Sequence, residues 1–113
     1  MHEVGIISAM LKTLERVMAE EGLTHVEKVV LEVGELSGIV PHYMEECFPA
    51  AVYKTPFEDM KMEMEIISGR IQCMDCRKEF PVDMEDLVCP YCRGRRLKPV
   101  EGTGFVVKEI HGS

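Results

Sequence analysis

The chain is expected to adopt an α+β fold: two helices packed on a small three-stranded sheet, with an inserted four-cysteine zinc-ribbon lobe. Three features predict it. Apolar residues recur at helical spacing in two segments, and they alternate at strand spacing in three others. Two Cys-x-x-Cys pairs fall between the second and third of those strands. The 113 residues then divide into an α/β domain, residues 1–70 plus 99–113, and a metal-stapled domain, residues 71–98.

The first helix is read over residues 6–21. Ile7, Met10, Leu11, Leu14, Val17 and Met18 follow spacings of three and four, with Lys12, Glu15 and Arg16 opposite. Gly22 suits the position just past its end. Val26–Leu36 follows as a strand with Val29, Leu31 and Val33 on one face, and Gly34 and Ser37-Gly38 mark where regular structure stops.

Pro41 fits the first turn of a second helix, where a missing N–H is no loss. Tyr43, Met44, Cys47, Phe48, Ala51 and Val52 give that helix its apolar stripe, and Pro56 bounds it. Cys47 reads as a small buried hydrophobe. Met60, Met62, Met64 and Ile66 then alternate against Lys61, Glu63 and Glu65, which marks a strand with methionines in the core rather than a thioether metal site. After the cysteines, Gly102-Thr103-Gly104 leads into a last strand, Phe105–Ile110. The middle strand–helix–strand forms a crossover, right-handed if its strands are parallel.

Composition excludes several function classes. No apolar run is long enough to span a membrane, and Met1-His2-Glu3 lacks the basic start of a secretory signal. A cytoplasmic protein with reduced cysteines is expected. The net charge is −7, and residues 1–70 alone hold six basic against thirteen acidic residues. Phosphate-backbone affinity depends on Lys and Arg, so no nucleic-acid partner is expected. Residues 71–98 hold six basic and five acidic residues, so Arg93, Arg95, Arg96 and Lys98 read as a solvated or protein-facing surface.

The cysteine pattern carries chemistry. Cys73-Met74-Asp75-Cys76 and Cys89-Pro90-Tyr91-Cys92 each place two sulfurs on one tight turn. Together they fill a tetrahedral site with zinc–sulfur distances of about 2.3 Å and leave no open position for catalysis. A structural zinc is the reading. A rubredoxin-like iron centre stays open on ligand type alone, and a disulfide-exchange motif leaves the second pair unexplained.

The amino terminus offers a second donor set. The Met1 amine, the His2 amide and imidazole, and the Glu3 amide lie within three residues and form small chelate rings around one ion. Such planar nitrogen donors suit Ni(II) or Cu(II), and amide deprotonation makes affinity fall in acid. A histidine at position 2 is also compatible with an ordinary frayed terminus.

Met1-His2-Glu3, the helix that follows at once, Leu31-Glu32-Val33-Gly34-Glu35-Leu36, the two cysteine pairs and the late strand occur together in this order. Over essentially its whole length the chain thus resembles the HypA/HybF family of nickel metallochaperones for hydrogenase maturation. The resemblance implies an exchangeable Ni2+ at Met1, His2 and Glu3, within a nickel-binding α/β domain. It implies one structural Zn2+ at Cys73, Cys76, Cys89 and Cys92. It further implies a HypB-type GTPase or ATPase partner and delivery to the large subunit of [NiFe]-hydrogenase, or to urease in some relatives. No enzymatic activity is expected. The competing reading is a zinc-ribbon interaction or nucleic-acid adaptor without transferable metal, which leaves His2 unexplained.

Overall fold

The computed structural model describes residues 2–113. Met1, one of the expected nickel ligands, lies outside the described residues.

Helix α1 spans His2–Glu21 and so starts ahead of the expected residue 6. Glu3 explains the earlier start, because a carboxylate in the first turn complements the positive end of the helix. Ile7, Met10 and Leu14 are its buried stripe. Gly22, at φ 69°, turns the chain left-handed after the helix, and the Leu23 N–H donates back to the Met18 carbonyl at 2.9 Å. That bond satisfies one of the otherwise free terminal carbonyls.

Strand β1 (Val26–Gly34) stops two residues short of the expected end, and helix α2 covers Pro41–Val52 with Pro41 in its first turn. Pro49 stands inside α2, where it removes one intrahelical N–H. Strand β2 spans Lys61–Ile67. Three short strands follow, β3 (Arg70–Cys73), β4 (Glu79–Pro81) and β5 (Leu97–Glu101), and the chain closes with β6 (Phe105–Gly112).

These strands form two three-stranded sheets. The first has the order β2-β1-β6, with β1 parallel to β2 and antiparallel to β6. Ile7, Met10 and Leu14 of α1 and Met44 and Val52 of α2 form one core with Val29, Leu31 and Val33 of β1. Met60, Met62 and Met64 pack against this core, as their alternation predicts, whereas Ile66 at the sheet edge is 53% exposed. The second sheet has the order β4-β3-β5 and was not anticipated as a sheet. Its small core joins Ile71 and Phe80 to Cys73 and Cys89.

The cores meet at a crossing of three glycines. A side chain on Gly34 would collide with the Gly102 carbonyl, so only glycine lets these backbones pass. The crossing is tied by Leu36 N–H to the Gly102 carbonyl at 2.7 Å and by Glu35 N–H to the Ile67 carbonyl at 2.8 Å. The Glu35 side chain adds a bond from the Gly69 N–H at 2.8 Å. The two cores lie in a row: the radius of gyration is 17.5 Å, against about 13 Å for a compact sphere-like domain of this length. Among the described residues, no helix is long and apolar enough to cross a membrane.

Candidate metal centres

The two cysteine knuckles share one backbone design. In the first, the Arg77 N–H returns to the Cys73 carbonyl at 2.9 Å, and the Asp75 N–H points to Cys73 Sγ at 3.4 Å. In the second, the Arg93 N–H returns to the Cys89 carbonyl at 2.9 Å, and the Tyr91 N–H points to Cys89 Sγ at 3.4 Å. Arg77 and Arg93 both take positive φ, 68° and 66°, to close their turns. Amides aimed at sulfur stabilise thiolate, the form that binds metal.

The fold brings all four sulfurs within 4.8 Å of one another. Cys73 Sγ lies 3.6 Å from Cys92 Sγ, and Cys76 Sγ lies 3.6 Å from Cys89 Sγ. A tetrahedron with zinc–sulfur legs of about 2.3 Å has edges of about 3.8 Å, so the donor set fits such an ion. A disulfide requires about 2.05 Å, and all the cysteines are free. Cys73 and Cys89 are buried, Cys76 is partly covered, and Cys92 is exposed.

The thiols of Cys89 and Cys92 differ in acidity. Burial opposes the Cys89 thiolate, but N–H groups of Cys92 and Tyr91 and the thiols of Cys76 and Cys92 bring its pKa down to about 7. Cys92 is pushed up to about 12: the Gly94 N–H favours its thiolate, but bonding to the neighbouring sulfurs, Cys73 foremost, together with burial outweighs that. A metal that takes all four as thiolates therefore displaces protons on binding.

Of the amino-terminal donors, His2 and Glu3 open α1. The His2 side chain is 59% exposed, and its Nε2 sits 3.5 Å from Glu3 Oε2. Glu3 itself is only 4% exposed. Its carboxylate accepts the Val40 N–H at 3.3 Å, at the start of α2, where no local side chain caps the helix. Burial works to raise the Glu3 pKa, yet its own N–H, that of Val40 and the nearby His2 hold it below the ordinary 4.5. Sequence reasoning used only the Glu3 amide and missed this carboxylate. Its one signal was an acid in the first turn of a helix.

The Glu3 amide belongs to the first turn of α1, where N–H groups have no intrahelical acceptor. Two other histidines pair with nearby acids. His42 pairs with Glu46 at 2.9 Å one turn along α2, and His111 pairs with Glu109 at 2.9 Å. Among the described residues, the cysteines are the only group of three or more metal-ligating side chains brought together.

Comparison with known proteins agrees along the whole chain. Residues 1–112 match the family described as hydrogenase/urease nickel incorporation, metallochaperone, hypA. The hydrogenase maturation factor HypA of Moorella thermoacetica is 35% identical, with 99% of each chain covered. That of Aquifex aeolicus is 33% identical over 97% of this chain and 96% of its own. The solution structure of the nickel metallochaperone HypA from Helicobacter pylori superposes with a TM-score of 0.70 at 18% identity, covering 99% of this chain and 97% of that one, which supports the fold. With its cysteine knuckles and its His2-Glu3 start set on that fold, the chain belongs to the HypA family of hydrogenase/urease nickel-incorporation metallochaperones.

Proposed function

We propose that this protein carries Ni2+ on Met1, His2 and Glu3 and delivers it, with a HypB-type nucleotide hydrolase, to the large subunit of [NiFe]-hydrogenase in the cytoplasm. The observation that carries this reading is the exposed His2 imidazole at the free end of α1, beside a first-turn amide without a helical acceptor. The ligands are the Met1 amine, main-chain nitrogen of His2 and Glu3, and the His2 imidazole. Nitrogen donors in this arrangement favour Ni(II) over hard cations. The Glu3 carboxylate serves differently: anchored to Val40, it holds the first turn still while the imidazole stays accessible.

The α/β part, expected at residues 1–70 plus 99–113, acts as the nickel-binding domain and the cysteine part, expected at residues 71–98, as the zinc-binding domain, with β3 and β5 carrying the second sheet from Arg70 to Glu101. Zn2+ on Cys73, Cys76, Cys89 and Cys92 is structural: once bound by four protein sulfurs it has no free position for chemistry. Cargo and permanent metal are thereby separated by ligand type, nitrogen for one and sulfur for the other. A donor set at a chain end lets a partner exchange ligands stepwise during docking, which avoids release of the ion into water. The acidic surface, with its net charge of −7, steers a partner carrying positive potential.

The direct test is His2→Ala in cells that depend on hydrogenase. Loss of hydrogenase activity, restored by excess nickel in the medium, supports the reading. Full activity at limiting nickel overturns it.

A further inference from the structure

We infer that Asp75 and Arg96 form a clasp across the two cysteine knuckles, on the side of Cys92, and that this clasp sets the rate at which the metal leaves. The inference rests on the reading of the four cysteines as the zinc centre.

The cage is lopsided. Cys73 and Cys89 are buried, whereas Cys92 is exposed, so a competing ligand in solution meets Cys92 first. Asp75 belongs to the first knuckle, and Arg96 follows the second. Arg96 Nε and Nη2 both donate to Asp75 Oδ1, at 2.9 and 2.6 Å. The main chain repeats the tie, with Met74 N–H donating to the Arg96 carbonyl at 2.8 Å. Side chain and backbone thus bind the same two points together.

Gly94 shows where the clasp sits. A Cβ at this position would lie 2.6 Å from Asp75 Oδ2 and 3.3 Å from Cys92 Sγ. The carboxylate therefore closes directly over the backbone turn that follows the exposed sulfur, and glycine is what lets it do so. Four thiolates on a divalent zinc leave the cage with an excess of negative charge. A carboxylate beside it needs compensation, and the Arg96 guanidinium supplies it. With the arginine removed, Asp75 faces a like-charged cage and swings away, and the Cys92 turn loses its restraint. The pair is solvent-exposed, with side chains 74% and 41% accessible, so its effect falls on exchange kinetics more than on folding.

The test uses the full zinc-loaded chain. Zinc content is measured by mass spectrometry, and transfer is then timed to excess 4-(2-pyridylazo)resorcinol. In parallel, alkylation of Cys92 and Cys47 by iodoacetamide is followed by peptide mass spectrometry. Arg96→Ala, Asp75→Asn and Gly94→Ala each open the clasp by a different route. Each is expected to speed zinc transfer by about three- to tenfold, with Cys92 alkylation rising in step and Cys47 unchanged. Arg96→Lys keeps the charge without the fork and is expected to fall between. Lys108→Ala, which breaks the 2.8 Å pair to Glu65 in the other sheet, is expected to leave transfer unchanged.

Transfer within about twofold of wild type in all three variants overturns the clasp. Faster transfer without faster Cys92 alkylation also overturns it, because general loosening then suffices. Wild-type protein that holds no zinc sinks the zinc reading itself, and the clasp with it.

Discussion

The Glu3 carboxylate accepts the main-chain N–H of Val40 at 3.3 Å, joining the starts of the two helices across 37 residues of chain. This bond makes a buried acid the anchor of the proposed nickel terminus. It predicts a pH signature. The folded state holds the Glu3 pKa below its ordinary 4.5, so the stability it contributes is fully present above that value and is lost as pH falls through the lower folded value. Thermal melts of wild type and Glu3→Gln are expected to differ at neutral pH and to converge only in acid, as pH falls through the lowered folded value. Curves that stay parallel into acid would remove Glu3 from the account.

Leu14 is fully buried in the core between α1 and β1. Leu14→Ala is expected to lower unfolding free energy by about 2–5 kcal/mol, through lost transfer energy and the cavity left behind. Urea denaturation followed by circular dichroism measures it. The four-cysteine region is a separate core, so zinc content in the folded fraction should not change.

Gly102 has φ 77°, and a Cβ there would come within 2.8 Å of the Ser68 carbonyl and 2.9 Å of Gly69 Cα. Neither contact is a flexible side-chain tip. Gly102→Ala is expected to cost about 1–3 kcal/mol, seen as a lower melting temperature. A neutral result would mean that the junction between the sheets is slack.

Chelation tests the second sheet. Its core holds only Ile71, Phe80 and two of the cysteines as buried residues, too little apolar surface to stand without metal. Under excess chelator, amide resonances of residues 71–98 are expected to collapse toward disordered values. Those of β1 and α1 should remain dispersed, since their core contains no metal ligand.

Much of this was legible in the sequence for a physical reason. Elements long enough to show a period, such as the Ile7-Met10-Leu14 stripe or the Val29-Leu31-Val33 face, display it directly. Both helices and the strands of the first sheet emerge from such patterns. The second sheet does not, because Arg70–Cys73 and Glu79–Pro81 are too short to carry an alternation. Their pairing depends on knuckle geometry instead. The grouping of four cysteines follows from two-residue spacing, since a single turn must bring each pair together. The contacts of the Glu3 and Asp75 carboxylates are not legible in the sequence, because their partners, Val40 and Arg96, are distant along the chain. An acid on a helix end or in a tight turn ordinarily faces water.

An unblocked terminal amine is the point on which the courier role turns, and metal stoichiometry tests it most directly. Untagged protein and the same protein acetylated at its amino terminus are loaded with Ni2+, desalted and measured by mass spectrometry. About one zinc per chain is expected in both, with about one nickel only in the free form. Equal nickel in the acetylated protein would contradict the proposed ligand set.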